Sequence, residues 1–99
     1  MIQLEVMLEL EPGKQEEFLD IFRTQFAPAM SEQPGFVRVA LLKQRKSASQ
    51  YRIELVFESE KERLAWVNTR KHEETWPKLG VLTSKCSITG FDFLAEVSR

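Results

Sequence analysis

The chain has 99 residues, a length that suits one domain with its own core. With 42% hydrophobic and 29% charged residues and only four glycines and four prolines, its composition excludes disorder, a collagen-like repeat and a disulfide scaffold. A formal charge of −1 and a pI near 5.9 give no electrostatic footprint for nucleic acid.

The single cysteine, Cys86, has no partner for an internal disulfide, which fits a reducing compartment. No apolar run approaches the roughly 20 residues of a membrane span. The N-terminal stretch MIQLEVMLEL carries acidic residues where a signal peptide needs basic ones. The expectation is a soluble, cytoplasmic, single domain over residues 1–99, with neither nucleic acid nor membrane as partner.

Ile2, Leu4, Val6, Leu8 and Leu10 alternate with Gln3, Glu5, Met7 and Glu9, the period of a half-buried strand. Glu11-Pro12-Gly13 ends it. From about Lys14 the period becomes helical, with Phe18, Phe22 and Phe26 four apart and joined by Leu19, Ala29 and Met30. That aromatic stripe is either a pocket wall or plain core, since an amphipathic helix must bury its stripe somewhere. Pro28 removes the hydrogen bond to Thr24, which predicts a kink or a loose last turn.

Phe36 to Lys43 reads as a second strand, with Val37, Val39 and Leu41 on one face and Phe36, Arg38, Ala40 and Leu42 on the other. Gln44 to Gln50 is a polar turn whose Lys43, Arg45 and Lys46 form a solvated cluster rather than a phosphate site. Tyr51, Ile53, Leu55 and Phe57 mark a third strand. Ser59-Glu60-Lys61-Glu62 matches a capping box at a helix start.

Asn68 and Thr69 favour caps and turns, so the helix is expected to break there and resume at about Arg70. On the resumed turn His72 and Trp76 share a face at i and i+4. The final strand is expected from about Lys85, with Cys86 and Ile88 in one phase and Phe91, Phe93, Ala95 and Val97 in the other. A β-bulge at Gly90 would account for that change.

The order β-α-β-β-α-β predicts an α+β, ferredoxin-like fold: a four-stranded antiparallel sheet with both helices on one face. The other face would carry Glu5, Glu9, Arg38, Arg52 and Glu54 together with Met7, Phe36, Leu42, Val56, Phe91 and Phe93. That mixture is too apolar for a solvent face. A homodimer packed sheet against sheet, with opposite charges paired across the interface, is the simplest way to cover it.

The opening LEVMLELEPGKQEEFLDIFRTQFAPAM, the turn Pro34-Gly35-Phe36, the stretch YRIELVFESEKERLAW and the H-x-x-x-W of His72 and Trp76 together resemble the antibiotic biosynthesis monooxygenase family. The resemblance covers nearly the whole chain and lies in pattern and order. It implies a ferredoxin-like protomer in a dimeric α/β barrel, with a ligand pocket between sheet and helices.

Members of that family include cofactor-independent oxygenases of polycyclic aromatic substrates, quinone-related oxygenases, haem-degrading enzymes and an isomerase. The family's common histidine corresponds to His72 and the aromatic that precedes it to Trp66. Val67 stands where several of its enzymes carry a second histidine, and the first strand has no asparagine, which argues against haem.

His72, whose ordinary pKa of roughly 6.5 suits proton transfer near neutrality, is the candidate base. Trp66, Trp76, Phe22 and Phe26 would box the substrate, and Tyr51 or Arg52 would donate to its oxyanion. One histidine, Glu73, Glu74 and one cysteine do not make a metal constellation, so neither metal nor organic cofactor is expected. Cys86 reads as inert core. The expected function is a cofactor-independent monooxygenase of a small aromatic or quinone-like molecule. The alternatives are a non-catalytic dimeric domain that binds a ligand or a protein, and a small-molecule isomerase. A substrate-sized cavity reaching His72 favours an enzyme, and a pocket filled by its own tryptophans a binding domain.

Overall fold

A computed structural model covers residues 1–99. Its elements follow the alternation and capping signals in the chain. Strand β1 (Ile2–Leu10) is followed by helix α1 (Gln15–Ile21), a π-helical turn (Phe22–Phe26) and helix α2 (Ala27–Ser31). Strands β2 (Phe36–Lys43) and β3 (Gln50–Phe57) come next, then helices α3 (Glu60–Val67) and α4 (Arg70–Gly80), and strand β4 (Thr83–Asp92). The four strands form one antiparallel sheet in the order β2-β3-β1-β4, the ferredoxin-like arrangement.

The helices cover one face. Leu4, Val6, Leu8 and Leu10 of β1 and Ile53, Leu55 and Phe57 of β3 meet Phe18, Phe22, Phe26, Ala29 and Met30 from the first helical segment. Trp66 and Leu79 close the core from the second. Burial of these side chains is the main force holding helices to sheet, at about 1.5–3 kcal/mol for each large one fully removed from water.

The first helical segment accommodates Pro28 in a way that proline alone does not predict. Instead of a loose last turn, the helix widens one turn earlier: the Ala27 N–H donates to the Phe22 carbonyl, five residues back. Thr24 Oγ1 donates to the Asp20 carbonyl at 2.8 Å, a side-chain bond of the kind that bends helices. The new helix then starts so that Pro28 lies in its first turn, where a missing N–H costs nothing.

Two expectations about strand phase are corrected. In β2, Phe36 pairs with Phe57 and Arg38 with Val56, so Val37 is an extra, bulged residue. The bulge turns Phe36 onto the helix side, where its ring packs edge-on against Phe57 with centroids 6.0 Å apart. Phe36 therefore belongs to the core with Val39 and Leu41 rather than to the open face. In β4 the register runs unbroken through Gly90, from Gln3↔Phe91 to Glu9↔Lys85, and the irregularity falls at Ser84 instead. Cys86, Ile88 and Gly90 point to the helix side and Phe91 to the open side. Cys86, on the edge strand, is exposed and not core.

The turn before β2 depends on Gly35. It has φ +79°, and a Cβ there would run into the Glu62 carboxyl group. That carboxylate is engaged in the cap of α3, where Ser59 Oγ donates to Glu62 Oε1 at 3.1 Å and accepts from the Glu62 N–H at 3.3 Å. Only glycine satisfies both the backbone and the close approach.

The open face pairs its charges within the protomer. Arg52 binds Glu5 at 3.3 Å and Glu54 at 3.5 Å, and Arg38 donates to Gln3 at 3.1 Å. Val56, between Gln3 and Arg38 in the register, is buried by this pairing. Met7, Leu42 and Phe91 remain exposed beside these charges. No helix is long and apolar enough to cross a membrane.

Candidate active site

The site is built by the break between α3 and α4. Thr69 makes the joint: its Oγ1 donates to the Trp66 carbonyl at 2.7 Å and accepts from the His72 N–H at 3.2 Å. One hydroxyl thus closes the end of α3 and caps the start of α4. The geometry brings the His72 ring edge-on to Trp66, centroids 5.1 Å apart, and near-parallel to Trp76 at 6.5 Å.

Phe26, at the end of the π-helical turn, is the hub. Its ring lies 5.7 Å from Trp66, 5.7 Å from Trp76 and 6.3 Å from His72. Lys71 to Glu32 at 2.9 Å and Lys78 to Gln25 at 2.8 Å fasten α4 along this helical segment. Such exposed contacts add little stability, but they fix which face of α4 looks inward.

Between these rings and the sheet lies a cavity of about 160 Å³. Leu4, Val6, Leu55 and Ile88 form its floor, while Phe26, Trp66, Val67 and Trp76 form apolar walls. Its two ionisable lining residues are His72 and Arg63. Partial burial lowers the His72 pKa below its ordinary value, against an opposing effect of the Glu73 carboxylate. The imidazole is therefore held in its neutral, proton-accepting form at neutral pH. Nowhere in the chain do three His, Cys, Asp or Glu side chains gather as metal ligands.

His72, Trp66, Trp76 and Phe26 are thus brought together around one cavity. Phe22 stands a turn behind, buried in the core and touching Phe26 at 6.2 Å, but it does not reach the cavity. Tyr51 and Arg52 lie elsewhere. Tyr51, opposite Leu8, faces Phe18 and the start of α1. Arg52 lies on the open face, engaged with Glu5 and Glu54. Cys86 is likewise outside the cavity.

Arg63 is the residue that sequence reasoning missed. The signal was there: it precedes Trp66 by three and Val67 by four, so all three share one face of α3. Its guanidinium binds the Glu60 carboxylate through Nη2, and its Nε is buried without a hydrogen-bond partner.

No curated protein matches the sequence. Among solved structures, the chain is similar to SnoaB, a cofactor-independent oxygenase from Streptomyces nogalater, with a TM-score of 0.87 and 19% identity over 99% of this chain and 97% of that one. A Nitrosomonas europaea protein provisionally named an antibiotic biosynthesis monooxygenase gives 0.84 and 14% identity over 96% of this chain and 100% of that one. A conserved protein from Methanosarcina mazei Go1 gives 0.84 and 13% identity over 91% of this chain and 89% of that one. At these identities the likeness is one of fold. The model of the antibiotic biosynthesis monooxygenase family matches residues 1–77, which hold both helical segments up to Pro77 and all four aromatic and imidazole groups around the cavity. The chain belongs to the antibiotic biosynthesis monooxygenase family.

Proposed function

We propose that the protein is a cofactor-independent monooxygenase acting on a small aromatic or quinone-like molecule. The observation that carries this reading is the cavity of about 160 Å³ that reaches a half-buried His72 through walls of Phe26, Trp66 and Trp76. Had the tryptophans filled that space themselves, a binding domain would be the better reading. Membership of the monooxygenase family and the fold shared with a cofactor-independent oxygenase support it.

The chemistry asks for what the site holds. A hydroquinone or phenol, once deprotonated, is electron-rich enough to reduce dioxygen. His72 takes the hydroxyl proton. The apolar walls exclude water and hold the ring in one orientation. For a hydroquinone, one oxygen atom of dioxygen enters the ring to give a hydroxyquinone, and the other leaves as water. The substrate supplies all four electrons, so no external reductant is needed. Oxygen uptake across a panel of hydroquinones and phenols, measured with a metal chelator present, tests this. Uptake coupled to quinone formation is the expected result; an inert panel with every member shown to bind would contradict it.

We further propose that the working unit is a homodimer joined through the open sheet face. Exposed Met7, Leu42 and Phe91 on that face, and Leu94 and Val97 exposed just beyond β4, are apolar groups that a second copy would cover. Because Arg52, Glu5 and Glu54 already pair within the protomer, apolar burial rather than charge pairing across the interface supports the association. Light scattering at micromolar concentration should give twice the 11.5 kDa chain mass; the mass of one chain would rule the dimer out.

A further inference from the structure

On the helix side of the sheet, two cross-strand rows run beneath the cavity. In one, Ile53, Val6 and Ile88 stand side by side. In the other, Leu55 and Leu4 are followed by Gly90, so the row stops one side chain short at the edge strand. Leu55, Leu4, Val6 and Ile88 all line the cavity. The three on the inner strands are buried, whereas Ile88 is 60% exposed and is the one exposed group of the lining. The cavity therefore opens towards β4, on the side where Gly90 lies.

Nothing in the fold asks for glycine at that position. Its φ is not left-handed, a conformation that only Gly13 and Gly35 adopt. The pairing of β1 with β4 passes through it without a bulge. A Cβ placed there meets no group within 4 Å, so no neighbour presses against the backbone. Glycine inside a strand costs stability. Where bulge, bend and crowding are all absent, the remaining reason for one is the close approach of a ligand or of another backbone. The cavity beside Leu4 supplies the ligand.

We propose that Gly90 is a specificity-determining residue of this cavity. Its missing side chain keeps the mouth open over β4, so that an aromatic ligand with one ring inside carries a second ring out past Ile88. The proposal rests on the reading of the cavity as the site of an aromatic substrate and adds the residue that sets how far that substrate extends. The inner ring lies among Phe26, Trp66 and Trp76, within reach of His72. The outer ring covers Ile88, apolar surface that otherwise faces water. A valine at position 90 would place two methyl groups beside Leu4, across the path of that outer ring.

Two probes of matched chemistry test this without requiring turnover: 4-nitrophenol, with one ring, and 4-hydroxy-4′-nitrobiphenyl, with a second ring in line. Their nitro groups quench tryptophan, and Trp66 and Trp76 line the cavity. The parent protein is expected to bind the biphenyl at least as tightly as 4-nitrophenol. Gly90→Val is expected to weaken the biphenyl about 10- to 100-fold, the usual cost of forcing a group into filled space, and to weaken 4-nitrophenol far less. Gly90→Ala adds one carbon in open space and should fall between parent and valine variant. Both variants should melt at or above the parent's temperature and keep its mass in light scattering.

An unchanged ratio of the two affinities in Gly90→Val, or a parent that does not take the biphenyl, would overturn the proposal. A lower melting temperature in both variants would overturn it by assigning the glycine to the strand itself. A changed mass would do so by assigning it to the approach of a second copy. The expected affinity ratios without oxygen uptake from any hydroquinone would instead count against the oxygenase reading alone.

Discussion

Replacement of His72 by alanine is expected to lower the rate of hydroquinone-dependent oxygen uptake by about 100- to 10,000-fold, the usual contribution of one positioned general base. The fold should survive, since His72 is only half-buried and its main-chain N–H, not its ring, completes the Thr69 cap. Melting curves and light scattering of the variant should match those of the parent.

The pH dependence carries the sign of the shift. Burial lowers the His72 pKa, so activity should rise with pH through a midpoint below the ordinary histidine value of roughly 6.5 and then level off. The same shift links to stability. Because the folded pKa is depressed, the stabilising contribution is complete above the unfolded value and is lost as pH falls through the folded one. The Glu73 carboxylate works against the shift by raising the pKa, and burial outweighs it. The alanine variant should lose this acid limb in both activity and stability. An unchanged rate, or an acid limb that persists in the variant, would remove His72 from the mechanism.

Trp66→Ala is expected to destabilise the protein by about 3–5 kcal/mol, the cost of emptying a buried aromatic site. Trp66 is 2% exposed and packs edge-on against Phe26 and His72. A domain of this size has only about 5–15 kcal/mol in total, so the variant should unfold at much lower urea concentration. Trp66→Phe retains the edge contacts and most of the volume and should cost far less. If Trp66→Ala kept the parent's midpoint, Trp66 would be a replaceable lining group rather than the side chain that sets the distance between α3 and α4.

Core and site are continuous in this protein, which explains how much of each was legible in the sequence. The alternation of β1, the bounds of β2, the Ser59 cap and the break at Asn68-Thr69 are local signals, and local chemistry decides them. Spacing alone also placed His72 and Trp76 on one helical face. The aromatic stripe of the first helix gave no way to choose between wall and core because it is both: Phe18 and Phe22 are buried packing, while Phe26 is packing and wall together.

The errors arose where pairing, not period, decides. Phe36 changes face because Val37 bulges, which depends on its register with Val56 and Phe57. Phe91 does not change phase at all. Apolar residues simply occupy the helix side of β4 at Ile88 and its open side at Phe91, and alternation read from one strand mistakes that for a bulge. Arg63 was passed over because an arginine that directly follows Glu60, Lys61 and Glu62 on a helix looks like part of a solvated face. Its burial comes from α3 lying against the sheet, a tertiary fact.

The most direct test supplies a single-ring hydroquinone and isotopically labelled dioxygen to the protein, with chelator present, and follows the label by mass spectrometry. The account predicts one labelled oxygen in the hydroxyquinone product and the other in water, formed at a rate that depends on His72. Quinone formed without label, with dioxygen reduced to hydrogen peroxide, would contradict it: the protein would then be an oxidase, and no monooxygenation would occur beneath His72.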